Sequence, residues 1–375
     1  MQNPSNKRMR TKPSHKIGLC TLLLLFCILL IFPSTSLPQQ DQESPKTTIK
    51  SKVNSKIKLS IGYDDNVSDR IKDPIKSRFL QLYINSDIKA YPTPKSFFSM
   101  KIQDGLKYHD ARSLANESIL INRINFCLSH KLSNRFTPEL CGEVRGRTSI
   151  HSESNITSSE ESYLRGYAGL ALGTMIFSDL YMKPFYNFKA TNFEDFDPYD
   201  RKGHEFGCGC NIKLLPNAFI RFQYSRELMN FDKWEDNGAK REDSANVMTA
   251  GIQLYRNILI NINASYESNN SDVDGYSYKG YMLSGMMAKA ISDNTVIELY
   301  TLFRSRTYDS PPDNSDSPQI DIEDEERNAI IAKISRDITK RVALEIQYDL
   351  RRNRSGLEGE TYLKNVISAS IVSDF

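Results

Sequence analysis

At 375 residues, 39% hydrophobic and 25% charged, the chain is long enough for one large domain or two ordinary ones. Its net charge of +3 is close to balance, and Lys and Arg interleaved with aromatics cluster nowhere outside the extreme N-terminus, so no nucleic-acid partner is expected.

The first element is basic and then apolar. Lys7, Arg8, Arg10, Lys12 and Lys16 precede a run of 16 residues, Ile17 to Phe32, followed by small Ser34 and Ser36. That order predicts a cleaved secretory signal peptide over 1–36. The run is short of the ~20 residues of a spanning helix. Residues 37–54 are polar, contain Pro, and read as a periplasmic linker. Cys20 and Cys27 fall in the signal, without the surroundings of a lipidation site. Cys127, Cys141, Cys208 and Cys210 remain, in a chain whose export would allow them to oxidise. Their spacing is not that of a zinc site, so neither a metal nor a cofactor is expected.

From residue 55 to 375 apolar and polar residues alternate with period two. The segment 96–110 carries Phe98, Met100, Ile102, Leu106 and Tyr108 on one face and Ser99, Lys101, Gln103 and Lys107 on the other. Segment 258–270 sets Ile258, Ile260, Ile262, Ala264 and Tyr266 against Asn261, Asn263, Ser265 and Glu267. Segment 340–353 sets Val342, Leu344, Ile346, Tyr348 and Leu350 against Glu345, Gln347 and Asp349. The same reading gives strands at 55–67, 77–91, 117–131, 136–149, 161–177, 180–193, 202–214, 217–229, 244–255, 278–292, 295–308, 325–338 and 360–375, about 16 in all. Short connections (92–95, 132–135, 178–179, 216–217, 256–257, 293–294, 339–340) alternate with longer polar ones (68–76, 111–116, 150–160, 194–201, 230–243, 271–277, 309–324, 353–359). This is a hairpin array, most of its tight turns supplied with Pro, Asn or Asp.

Strands this long exceed the ~5–6 residues usual in globular sheets and the ~9–11 a tilted strand needs to cross a bilayer. A sheet in hydrocarbon must close, because an open edge leaves backbone groups unpaired. The predicted fold is therefore all-β: a transmembrane antiparallel up-and-down β-barrel closed by pairing of the first and last strands.

The closing "NVISASIVSDF" puts Ile367, Ala369, Ile371 and Phe375 in phase. In this it resembles bacterial outer-membrane β-barrels, in which a terminal Phe on an alternating last strand is read by the barrel-assembly machinery. "LSIGYDDNV" (Leu59 to Val67) looks like the opening of a family of β-barrel porins often encoded near exopolysaccharide genes. The resemblance implies an outer-membrane location, lipid and lipopolysaccharide around the wall, Phe375 as assembly signal, and polysaccharide-export components as a further class of partner.

With the apolar face toward lipid, the other face lines a lumen. Its basic candidates are Lys101, Lys107, Arg123, Arg145, Arg147, Arg165, Arg221, Arg304 and Arg306, together with Lys58, Lys89, Lys183, Lys189, Lys213 and Lys333. Its acidic candidates are Glu143, Glu298 and Glu345, with Asp87, Glu205, Glu227 and Asp349. Sixteen strands leave room for water, and fixed charges in such a pore tune ion selectivity. The basic excess points to mild anion preference; pairing across neighbouring strands is the competing reading. Cys127 and Cys141 flank the 132–135 turn on the inward face, where a disulfide or simple proximity both fit. Cys208 and Cys210 share the lipid-facing phase of Phe206. The loops at 192–200 and 308–326 are acidic and lack EF-hand spacing, so they read as solvated. His109, His130, His151 and His204 are the only histidines after the signal, and a neighbour in strand sequence points to the opposite face, so no enzyme is expected. The expected function is a porin-like channel for passive passage of small polar solutes. The alternatives are an export conduit or accessory barrel for exopolysaccharide, and a non-conducting surface or adhesin barrel.

Overall fold

The computed structural model describes residues 50–67, 74–110, 118–150, 162–193, 199–236, 239–309, 328–353 and 362–375. The expected signal peptide, most of the linker, His151 and most of the two acidic loops lie outside them.

Sixteen strands follow one another: β1 (Lys50–Asp64), β2 (Ser77–Thr93), β3 (Ser96–His109), β4 (Ser118–His130), β5 (Phe136–Ile150), β6 (Tyr163–Phe177), β7 (Leu180–Phe193), β8 (Arg201–Leu215), β9 (Ala218–Asp236), β10 (Ala239–Tyr255), β11 (Leu259–Ser271), β12 (Tyr278–Ser292), β13 (Thr295–Tyr308), β14 (Asn328–Asp337), β15 (Val342–Asn353) and β16 (Tyr362–Asp374). Each pairs antiparallel with its neighbours, and β16 returns to β1, so the sheet is a closed barrel. Among the described residues there is no α-helix. The closing register runs from Lys56 opposite Asp374 to Asp64 opposite Val366. Beyond it, the Phe375 amide donates to the Ser55 carbonyl (2.8 Å) and the Ser55 amide to the Phe375 carbonyl (3.2 Å).

The faces sort as a bilayer demands. On β1, Ile57, Leu59, Ile61 and Tyr63 point outward and are exposed, Ile61 by 63%, while Ser60 and Asp64 in the alternate phase are buried. Fully burying such a side chain is worth about 1.5–3 kcal/mol, which water around this wall would forfeit and hydrocarbon supplies. The apolar surface of this fold is thus on its outside. The strands climb around the wall, as closure with tilt requires. One row of paired outward residues starts at Ser51, at the short-turn end, and passes through Ala90, Phe98, Leu128, Leu140 and Leu170 to Tyr186 and Phe206. It emerges near the long-loop end as Arg226, Asn246, Ser268 and Lys279.

Three features depart from the sequence reading. β1 begins at Lys50, so residues 50–54, assigned above to the linker, pair with Asp87 to Tyr91 of β2. The expected long loop at 230–243 is largely strand: β9 runs to Asp236 and β10 starts at Ala239, with a register shift between Lys240 and Arg241. This ribbon outruns β8 and β11. Its described inward positions are filled by buried Phe231, Arg241 and Asp243, two of them charged, so hydrophobic alternation disappears. Finally, Asp104 stands on the outward face of β3 between Ile102 and Leu106, opposite Ile84 and Asn122.

Candidate functional site

The candidate site is the inward face of the barrel. Because β-strand side chains alternate, register fixes which of them meet across the wall. Lys101, Lys107, Arg123, Glu143, Arg145, Arg147, Arg165, Arg221, Glu298, Arg304, Arg306 and Glu345 all stand in the inward phase of their strands.

Most lumenal carboxylates are engaged. Arg123 Nη2 donates to Glu143 Oε2 at 2.7 Å. Lys58 meets Glu345 across the closing seam at 2.5 Å, and Lys333 bridges Glu298 (2.8 Å) and Glu345 (3.9 Å). Lys189 joins Glu205 (3.1 Å) and Glu227 (2.7 Å). Glu267 accepts from Arg304 Nη2 at 2.7 and 2.8 Å and from Arg306 Nε at 2.7 Å, while the Arg306 guanidinium lies 4.1 Å from the Tyr278 ring centre. Near the long-loop end, the fully buried Asp64 holds Lys364 (3.2 Å) and Lys107 (3.5 Å), and the Lys107 ammonium sits over the Phe79 ring. Arg241 makes two hydrogen bonds to Asp243 (3.0 and 2.6 Å) and is stacked between Phe231 and Tyr276. Gly275, with φ 87°, takes the left-handed conformation in the tight β11–β12 connection that delivers Tyr276 there.

The basic groups are not matched in the same way. Arg123, Arg145 and Arg165 are paired neighbours on β4, β5 and β6, three guanidinium groups in one row, with the buried Arg147 one inward position above. Like charges facing each other across a sheet are destabilising, so this row is retained at a cost. Arg145 packs 5.7 Å from the Tyr163 ring centre, and no carboxylate among the described residues pairs with it. Lys101 faces Asp87 in register without a salt bridge, and Arg221 donates only to the Asn211 amide oxygen (3.1 Å). Lys89 and Lys213 likewise have no ion pair among the described residues.

Cys127 and Cys141 face each other in register, Cα atoms 4.1 Å apart, and are joined by a disulfide. Glu139 Oε2 lies 4.0 Å from both sulfurs and is held by Lys183 at 2.5 Å. Cys208 and Cys210 are free thiols in the outward phase of β8. His130 Nδ1 and Ser96 Oγ lie 2.8 Å apart at the short-turn rim, and His204 Nδ1 meets the Tyr186 hydroxyl at 2.7 Å on the outer wall. Among the described residues no carboxylate joins either pair. Sequence reasoning left Glu139, Glu267, Asp64 and the Arg241–Asp243 pair out of the site. Glu139 and Glu267 carried the right phase, whereas Arg241 and Asp243 fell in the supposed loop.

No family model and no curated protein matches the chain. Among solved structures it is similar to an anion-selective porin from Comamonas acidovorans (8% identity, 87% of this chain and 100% of that one, TM-score 0.46). It is also similar to OccAB3 of Acinetobacter baumannii (8%, 87% and 99%, TM-score 0.45) and to the outer-membrane protein OmpT of Vibrio cholerae (8%, 87% and 99%, TM-score 0.45). The closed sheet, the length of its strands and its apolar exterior define the class: a transmembrane β-barrel of the outer-membrane type.

Proposed function

We propose that the barrel is a porin-like channel of the outer membrane, passing small polar solutes down their gradients with mild preference for anions. Sixteen strands spaced ~4.8 Å apart and tilted ~40° give a wall roughly 30 Å across between backbones, wide enough for a water-filled passage. One asymmetry of the wall carries the reading. Among the described residues, Asp87 and, at the short-turn rim, Asp337 are the lumenal strand carboxylates without a salt bridge, whereas Lys89, Lys101, Arg145, Lys213 and Arg221 all lack one. The residual fixed charge seen by a permeating ion is positive. The test is a reversal potential across a planar bilayer separating two KCl concentrations. The sign expected is that of chloride permeating faster; potassium preference would refute the proposal.

A further inference from the structure

On the outer wall, one strip exchanges apolar for polar residues in an ordered way. Across β9 to β12 the climbing row reads Arg226, Asn246, Ser268, Lys279. The parallel row one outward position nearer the short turns reads Tyr224, Met248, Tyr266, Tyr281. Tyr266 and Tyr281 pack with ring centres 5.2 Å apart, a ledge of the kind that marks the membrane–water boundary in such barrels. Above the ledge the polar groups are organised. The Tyr224 hydroxyl donates to Asn246 Oδ1 (3.0 Å), and Arg226 Nε donates to Ser244 Oγ (3.2 Å). That bond leaves both terminal nitrogens of the Arg226 fork to other acceptors. Lys279 has no ion pair among the described residues. Of the outward carboxylates nearby, Asp232 is taken by Lys202 (2.6 Å), and Glu242 lies beyond Ser244 toward the loop.

Two cations three strand spacings apart, ~14 Å between backbones, thus stand on the outer wall with an amide and a hydroxyl between them. We infer that this strip binds the phosphorylated glycolipid headgroup of the outer leaflet, one phosphate at Arg226 and a second at Lys279. Sugar hydroxyls meet Asn246 and Ser268, and the acyl chains descend over Tyr266, Tyr281 and Leu283. Arg suits the phosphate because its planar fork donates two hydrogen bonds at once, and basic groups at headgroup level are the usual means of holding anionic lipid. The inference rests on the outer-membrane reading above, with the long-loop end toward the glycolipid leaflet.

The test uses the refolded barrel in detergent and a synthetic bisphosphorylated lipid A, with bound lipid counted by native mass spectrometry. The Arg226→Ala/Lys279→Ala double variant is expected to lose at least tenfold in affinity, and Arg226→Lys alone to retain most of it. Dephosphorylated glycolipid should bind at least tenfold more weakly than the bisphosphorylated form, and millimolar inorganic phosphate should not displace the lipid, separating a headgroup site from a free-phosphate site. Lys289→Ala/Arg336→Ala, which removes two outward cations near the short turns, serves as the control. Equal binding by the first double variant, or an equal loss in the control, overturns the inference. Heat-modifiable migration of each variant reports folding. Single-channel conductance of the Arg226/Lys279 variant keeps the two readings apart: a conducting barrel that binds lipid as the parent does sinks the headgroup site and leaves the channel standing.

Discussion

Arg145→Glu offers the sharpest test of the charged wall. Arg145 sits between Arg123 and Arg165 in one row, so the substitution changes the local fixed charge by two units, to a row with an acid at its centre. A monovalent ion passing ~7 Å away in a water-filled lumen interacts with one unit charge by about 0.6 kcal/mol, and salt of 0.1 M, with its ~10 Å screening length, halves that. Two units then shift an anion's energy by about 0.6 kcal/mol and a cation's by the same amount in the opposite sense. The difference of about 1.2 kcal/mol corresponds to a five- to tenfold fall in the chloride-to-potassium permeability ratio. Reversal potentials in a KCl gradient centred on 0.1 M measure it directly. Repeating the measurement at 1 M, where screening acts within ~3 Å, should abolish most of the shift. A ratio unchanged within twofold at low salt, or an equal shift at both concentrations, would refute the idea that this row sets selectivity. Arg226→Glu on the outer wall should leave the ratio where it was.

Glu267→Ala strips the shared carboxylate from Arg304 and Arg306, whose side chains are 17% and 7% exposed, and should cost about 3 kcal/mol in urea unfolding from lipid vesicles. A loss below 1 kcal/mol would mean water replaces the carboxylate freely. In protein lacking residues 1–36, maleimide under denaturing, non-reducing conditions should add to Cys208 and Cys210 only, and reduction should open two more sites; four additions without reductant would refute the bond. Breaking that bond by Cys127→Ser/Cys141→Ser should cost up to about 3 kcal/mol, the loop between the cysteines being short. Deleting Phe375 removes its two backbone hydrogen bonds to Ser55 and an outward ring; the folded, heat-modifiable fraction in membranes should fall while export does not. An unchanged folded fraction would show that the seam closes without it.

The fold was readable because lipid imposes a strict rule: every second residue of a wall strand must be apolar. Val342, Leu344, Ile346, Tyr348 and Leu350 obey it in turn, and β15 lies there. Where the rule lapses, so does the reading. "NFDKWEDNGAKRED" reads as a loop because its buried phase includes the ion pair of Arg241 and Asp243 and so shows no hydrophobic alternation, although Asn237–Gly238 is a strong two-residue hairpin signal. Asp104 was passed over because one carboxylate does not break the rhythm of Ile102, Leu106 and Tyr108. The facing of Arg145 or Cys127 followed from its own strand alone. Partners such as Glu267 for Arg304, or Lys58 for Glu345, depend on stagger between strands and on the seam, information that no single strand contains.

The seam also governs when the molecule can exist at all. Ser370 Oγ donates to Ser60 Oγ (2.9 Å) across 310 residues of chain. Away from the seam, backbone pairing joins strands adjacent in sequence and can form as hairpins accumulate; this bond, like the others that tie β1 to β15 and β16, waits for the whole chain. Until then the growing sheet has two raw edges, the form in which β-sheets template aggregation. Loop closure over such a span is slow by nature. A chain that still lacks β16 therefore leaves β1 open on its closing side, exposed to edge-to-edge association until the last strand arrives.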